Sequence, residues 1–338
     1  MSDNLKVNGA DTAVAPKKMK KNGGVKLETS ELIFKIIAYV FCIVFAICCI
    51  YPFIYAISAA FSSKDAYYSS QVILLPMVGS EGSYHIGLSF EAFKKVILNG
   101  EFWASYANTL HITFYGTIWS LGISILGGYA LSKKRLPFRT GFNLYLLFTM
   151  WFSAGLIPQL LNYTDTLTTF DKIAQFFSGN PNATSDKRWM VVISMGMNAF
   201  NIILLRNAFE GVPKEIEEAA IVDGANEFSL LWSVYVPMSK SSIATVGLFY
   251  GVSRWNGYFW ASQFLTEGGE KPLQVYIKEV LKIAEEGSDA GGEFVSDKFA
   301  IQSIVYSMIV CSIIPILIIY PYIQKYFATG VNVGGVKE

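Results

Sequence analysis

The chain has 338 residues, of which 52% are hydrophobic and only 16% charged, with a mean hydropathy of +0.38. Soluble globular chains carry about 25% charged residues, so this composition describes a polytopic membrane protein. A formal net charge of +1 argues against a nucleic-acid partner, because phosphate recognition needs a concentrated basic surface.

Residues 1–30 are rich in Asn, Asp, Gly and Lys and poor in apolar side chains, so they are expected to form a disordered cytosolic tail rather than a signal peptide. Six apolar runs follow, at about 33–60, 104–132, 142–161, 189–205, 242–262 and 300–323. Each is close to the ~20 residues that ~30 Å of hydrocarbon requires. The expected fold is all-α, a bundle of six transmembrane helices. Kinks or partial breaks are expected where Pro158, Asn198, Pro315 and Pro321 interrupt the third, fourth and last runs. Gly122, Gly127 and Gly128 in the second run are expected to permit close helix approach.

Lys and Arg gather before the first run (Lys17, Lys18, Lys20, Lys21, Lys26) and between the second and third (Lys133, Lys134, Arg135, Arg139). By the positive-inside rule both regions are cytosolic. Six crossings then return the C-terminus to the cytosol, together with the loop 207–240. The stretch before the last run is acidic (Glu267, Glu270, Glu285, Glu286, Asp289, Glu293, Asp297) and falls outside. Cys42, Cys48, Cys49 and Cys311 all lie in apolar stretches, which predicts no disulfide. With two histidines and no paired Cys motif, no metal or other cofactor is expected. The triplet Asn182-Ala183-Thr184 fits a glycosylation acceptor, a pattern common by chance.

The loop 207–240 carries the sharpest signal. Gly211-Val212-Pro213 breaks the preceding helix, and Pro213 is suited to the first position of a new one. Glu215, Glu217 and Glu218 then fall in its first turns, favourable for the helix dipole. Ile216, Ala219 and Ala220 give a low, apolar strip. Asp223-Gly224-Ala225 supplies the stop, with Gly224 free to take the left-handed conformation. A second short helix is expected over 227–236, ahead of Pro237.

Glu217-Glu218-Ala219-Ala220-x-x-Asp223-Gly224-Ala225, followed by Val236-Pro237 twelve residues after Gly224, resembles the EAA loop of binding-protein-dependent ABC importer permeases. The resemblance implies the type I importer permease fold, with this loop as a cytosolic coupling helix that docks into an ATPase and transmits its closure. The end of the chain, Gln324-Lys325-Tyr326-Phe327 with Gly330 and Gly334-Gly335-Val336-Lys337, is similar to the maltose-type, carbohydrate-uptake branch and to Gram-positive oligosaccharide permeases. Implied with it are a second homologous permease, two cytosolic ATPase subunits, an extracellular solute-binding protein, a carbohydrate cargo and a bacterial cell membrane. A permease domain over 31–326 and a cytosolic tail over 327–338 follow. Two outer segments, 162–188 and 263–298, are long for that branch. No Gly-x-x-x-x-Gly-Lys-Ser/Thr stretch exists in the chain, so any ATPase is a separate subunit.

The fifth run holds Arg254-Trp255-Asn256-Gly257-Tyr258-Phe259-Trp260. Aromatic faces stack on sugar rings and Asn and Arg bond hydroxyls, which makes Arg254, Trp255, Asn256, Tyr258 and Trp260 candidates for the substrate pathway. The competing reading is interfacial anchoring by the aromatics, with Arg254 paired inside the bundle. Asn108, Trp151, Gln159 and Asn198 are expected to serve helix packing. No catalytic constellation is present, so the chain is read as a transport subunit and not an enzyme. The alternatives are a permease for a non-sugar solute, a membrane-embedded transferase and a passive channel or scaffold.

Overall fold

The computed structural model describes residues 29–80, 82–152, 154–266, 269–286 and 298–330. Most of the two expected tails, and the acidic residues Glu267, Asp289, Glu293 and Asp297, lie outside them. Internal contacts divide the chain into two units, 1–52 and 53–338.

In the first unit the described part belongs to α1 (Thr29–Ala60). From Ser30 to Pro52 every residue is exposed except the half-buried Ala38. A helix that is apolar all round and covered by nothing has the surface of a lipid-facing span.

The second unit begins with the end of α1, where Ser58 donates to the Leu74 carbonyl at 2.7 Å. There follow α2 (Lys64–Tyr68), β1 (Met77–Val78), β2 (His85–Ile86) and α3 (Glu91–Leu98). The strands pair antiparallel, Met77 opposite Ile86. Asn99 then caps α4 (Gly100–Ser132), its Oδ1 accepting from the Phe102 N–H at 2.7 Å. At 1.5 Å per residue α4 is about 50 Å long, and the unit is built around it.

Small residues Gly116, Ser120, Ser124 and Gly128 recur every fourth position along α4 and are all buried. That spacing forms one low stripe into which neighbours settle. A Cβ on Gly128 would meet the Leu205 Cβ at 3.0 Å and the Arg206 backbone nitrogen at 3.1 Å. Gly127 is in ordinary contact with Ile202, whereas nothing lies within 4 Å of a Cβ at Gly122. The expected close approach therefore exists at Gly128 and not at Gly122, which points away from the packed stripe.

The third expected run is divided between α5 (Arg139–Trp151) and α6 (Leu156–Ser178). The division lies ahead of Pro158, not at it. Pro158 occupies the first turn of α6, where an N–H has no intrahelical partner to lose. The fourth run is likewise two helices, α7 (Lys187–Ser194) and α8 (Ala199–Glu210), bent by 51°. Here the expected break is present, and Asn198 caps α8 by accepting from the Asn201 N–H at 3.2 Å.

Next come α9 (Lys214–Val222), α10 (Glu227–Leu230), a π-helical turn (Leu231–Tyr235) and α11 (Val236–Met238). The second helix of the loop thus continues through Pro237 instead of ending before it. Val236 donates to the Leu231 carbonyl, five residues back. This wider turn relaxes the clash that Pro237 would make in a regular α-helix.

The fifth expected run is also interrupted: α12 (Lys240–Trp255) ends at Asn256-Gly257, and α13 (Phe259–Phe264) follows. Alone, the 16 residues of α12 span about 24 Å, short of ~30 Å of hydrocarbon. α14 (Leu273–Glu286) and α15 (Ile301–Gly330) complete the unit, and α15 runs without a break through Pro315 and Pro321. Among the described residues, Ser30–Ala60, Gly100–Ser132 and Ile301–Pro321 are long and apolar enough to cross a membrane singly, and the two bent pairs raise the number to five.

The core sits along α4. One cluster joins Val96, Phe102, Trp255, Leu273, Ile304 and Met308 from α3, α4, α12, α14 and α15. A second joins Ile125, Tyr129, Leu205, Phe209, Tyr235 and Tyr250. It packs α4 against α8, α12 and the turn before α11.

Candidate functional site

α9 is closed at both ends by its own sequence. Pro213 is the N-cap (φ −58°, ψ 134°), so the helix starts at Lys214, one residue later than expected. Its extended ψ keeps the proline ring outside the first turn. At the other end Asp223 is the C-cap and Gly224 has φ +86°. The Gly224 N–H donates to the Ile221 carbonyl at 3.0 Å and the Ala225 N–H to the Ala220 carbonyl at 2.9 Å. These two bonds form a Schellman stop, which needs a residue at ease with positive φ.

The two faces of α9 differ. Glu218, Ala219, Ile221 and Val222 are exposed, Val222 at 86%, and no residue of the helix is fully buried. Ala220 and Ala225 are half-covered. Glu217 turns inward: its Oε1 accepts from Lys133 Nζ at 2.5 Å and its Oε2 from the Tyr235 hydroxyl at 2.6 Å. Lys133 also donates to the Tyr235 oxygen at 2.8 Å and lies 4.7 Å from the centroid of the Tyr129 ring. The side chains of Lys133 and Glu217 keep only 10% and 22% of their exposure. Burial alone would raise the Glu217 carboxyl, but the bonds from Lys133 and Tyr235 outweigh it and hold the group below its ordinary value. Burial, followed by the neighbouring carboxylate, pushes the Tyr235 hydroxyl up, which keeps it a proton donor.

Two further pairs flank this one. Arg135 bonds Glu227, which also accepts from the Tyr129 hydroxyl at 2.7 Å. Arg139 bonds Glu210 and donates to the Leu131 carbonyl at 2.8 Å. The basic turn after α4, legible in the sequence as a marker of orientation, therefore holds the end of α8, α9 and the start of α10. No sequence signal announced these partners.

At the other end of α12 the five pathway candidates line one cavity of about 210 Å³, together with Thr109, Ile112, Met195 and Gln274. They do not contribute alike. Arg254 is 5% exposed. Its Nη1 donates to the Val191 carbonyl at 2.7 Å, and its Nη2 to the Met195 carbonyl at 2.6 Å, the Val192 carbonyl at 3.2 Å and Ser120 Oγ at 3.1 Å. A cation at the carbonyl end of α7 satisfies its last acceptors and its dipole. Trp255 is buried edge-to-face on Tyr106, and Trp260 stands edge-to-face on Tyr163 at 4.7 Å. Asn256 and Tyr258 remain exposed. Asn256 caps α12, its Nδ2 donating to the Val252 carbonyl at 3.1 Å.

Asn108 and Arg188 form a separate polar knot: Arg188 bonds Asp186 and donates to Asn108 Oδ1 at 2.9 Å, while Asn108 Nδ2 donates to the Gly269 carbonyl at 2.8 Å. Asn108 thus does serve packing, by fastening the stretch before α14 to α4. Trp151 is 83% exposed at the end of α5.

Apolar helices of membrane-crossing length, with a capped polar helix fastened to one end of α4, define a helical permease subunit. The family described as "Binding-protein-dependent transport system inner membrane component" matches residues 124–333, and the chain belongs to it. It is 31% identical over 309 residues to the polygalacturonan/rhamnogalacturonan transport system permease protein YtcP of Bacillus subtilis (strain 168), covering 90% of this chain and 98% of that one. To the maltodextrin transport system permease protein MdxG of the same organism it is 24% identical, covering 91% of this chain and 98% of that one. Among solved structures, a chain of a bacterial ABC transporter involved in import of the acidic polysaccharide alginate superposes with a TM-score of 0.75 at 39% identity, covering 89% of this chain and 99% of that one.

Proposed function

We propose that the chain is the permease subunit of an ATP-driven importer that takes up an oligosaccharide handed over by an extracellular solute-binding protein. In this reading the N- and C-termini and the loop 207–240 face the cytosol, and residues 31–326 form the permease domain. A second homologous permease supplies the other half of the path. The chain itself is not an enzyme: two separate ATPase subunits hydrolyse ATP, and α9 seats in one of them through Glu218, Ala219, Ala220, Asp223, Gly224 and Ala225.

The observation that carries the proposal is α9 itself. A nine-residue helix with a firm stop at each end, an uncovered face of small and apolar side chains and an inward carboxylate bonded to the end of α4 is suited to receive a push and pass it on. A mere connector needs none of these. At the cavity, Asn256, Tyr258 and Trp260 are the side chains suited to touch sugar, while Trp255 and Arg254 form the wall. Relatives named for polygalacturonan/rhamnogalacturonan and for acidic alginate make acidic oligosaccharides the first cargo to try.

Ala219→Trp is the direct test. The variant is expected to insert normally but to lose both co-purification of the ATPase and uptake; undiminished uptake would refute the coupling role. Titrating the purified solute-binding protein with oligogalacturonides and with maltooligosaccharides tests the cargo, and binding of neither class refutes it.

A further inference from the structure

Three carboxylates of the segment 210–227 are held by three cations between the end of α4 and the first residue of α5: Glu210 by Arg139, Glu217 by Lys133 and Glu227 by Arg135. The central pair is the most enclosed. Lys133 is the residue immediately after α4, and Tyr235, which bonds both Lys133 and Glu217, begins the step into α11 and α12. Glu217 therefore touches, in one cluster, the end of α4 and the residue leading into the helix that walls the cavity. Its neighbour Glu218 is exposed.

From this geometry we infer that Lys133 and Tyr235 are positioning residues of the coupling device, and that Glu217 serves as their internal clamp while Glu218 faces the partner. The inference rests on the proposed importer function and adds the route by which motion leaves α9. With the clamp closed, displacement of α9 displaces the end of α4, and α4 carries Arg254 and the cavity wall through Gly116 and Ser120. With the clamp open, α9 can still seat in an ATPase, but its movement dissipates within the loop. Coupling between distant sites requires an element that both of them bias, and the enclosed ion pair ties α9 and α4 into one such element.

The test uses the whole complex, with sister permease and ATPase, in proteoliposomes. Native cysteines are replaced by serine, and Ser253→Cys, at the rim of the cavity, serves as reporter. Its labelling rate by a membrane-impermeant maleimide is measured with and without ATP and vanadate. In the parent complex the rate responds to ATP and vanadate. In Lys133→Met and Tyr235→Phe the ATPase still co-purifies, but the response falls about tenfold, a typical allosteric coupling. The exchanged pair Lys133→Glu with Glu217→Lys recovers part of it, and retained ATPase co-purification in every variant separates lost coupling from lost folding.

An unchanged response in Lys133→Met and Tyr235→Phe overturns the clamp while leaving the importer reading intact. Loss of ATPase binding in Glu217→Gln but not in Lys133→Met also overturns it, by assigning Glu217 to the partner. Absence of any response in the parent complex sinks both readings. Should Lys133→Met fail to insert, Tyr235→Phe and the exchanged pair decide.

Discussion

Glu217 and Glu218 are adjacent in sequence and opposite in circumstance. One is 22% exposed and bonded to a lysine and a tyrosine; the other is open to solvent. Only the first is tied to the fold by its charge. Because the folded carboxyl is held below its ordinary value, its contribution to stability is complete above the unfolded value of about 4.3 and is lost as pH falls through the lower folded value. Unfolding in detergent should therefore separate the parent chain from Glu217→Gln most widely above about pH 5 and bring them together in stronger acid. A gap that widened towards acid would contradict the assignment. Sequence reading placed both glutamates in one group because helical spacing says which residues share a turn. It does not say that Lys133, 84 residues away, will be waiting beneath one of them. Arg254 teaches the same lesson: its suitability for a sugar was legible, whereas the three carbonyls that occupy it lie in α7 and at its C-cap, 59 to 63 residues earlier in the chain.

At the scale of elements, what the sequence disclosed was local punctuation. The stop at Gly224 and the break at Asn198 were readable because each depends on residues within a few positions, although the break takes the form of a cap and not of the expected helix-packing contact. Proline was a poor guide to where helices end, since its effect depends on where in a turn it falls: Pro158 lies in a first turn, Pro237 is relieved by a wider turn, and Pro315 and Pro321 lie inside one helix that no break divides. Glycine was ambiguous for a related reason. Gly122 and Gly128 look alike in an apolar run, yet only Gly128 meets a neighbouring backbone. Gly128→Leu should cost about 1–3 kcal/mol through overpacking between α4 and α8, while Gly122→Ala should leave stability unchanged or slightly raised. Thermal unfolding of the two variants measures this, and equal costs would show that the stripe does not govern packing.

For the whole molecule, composition and the spacing of apolar runs were enough to specify a helical membrane protein, and the EAA-type segment was enough to specify the family. Less accessible was how three of the six runs would be delivered: α1, α4 and α15 cross the expected ranges, but the other three runs are each divided between two helices. Runs of apolar residues define where a chain is comfortable in lipid; polar ends such as Asn198 and Asn256-Gly257 define where a helix stops, and the two need not coincide. The proposed orientation makes a direct prediction. In a background without native cysteines, Asn182→Cys should react with an impermeant maleimide from outside intact cells, and Lys134→Cys only after permeabilisation. The reverse pattern would turn the molecule over.

The π-helical turn at Leu231–Tyr235 acts as a spacer of one residue. Removing a single residue from it would restore a regular coil, but everything downstream would rotate by about 100°. Phase along the chain, more than any one contact, is then what aims Tyr235 at its lysine and α12 at its groove. Insertions or deletions between Asn226 and Lys240 should be far less forgiving than substitutions at the same positions.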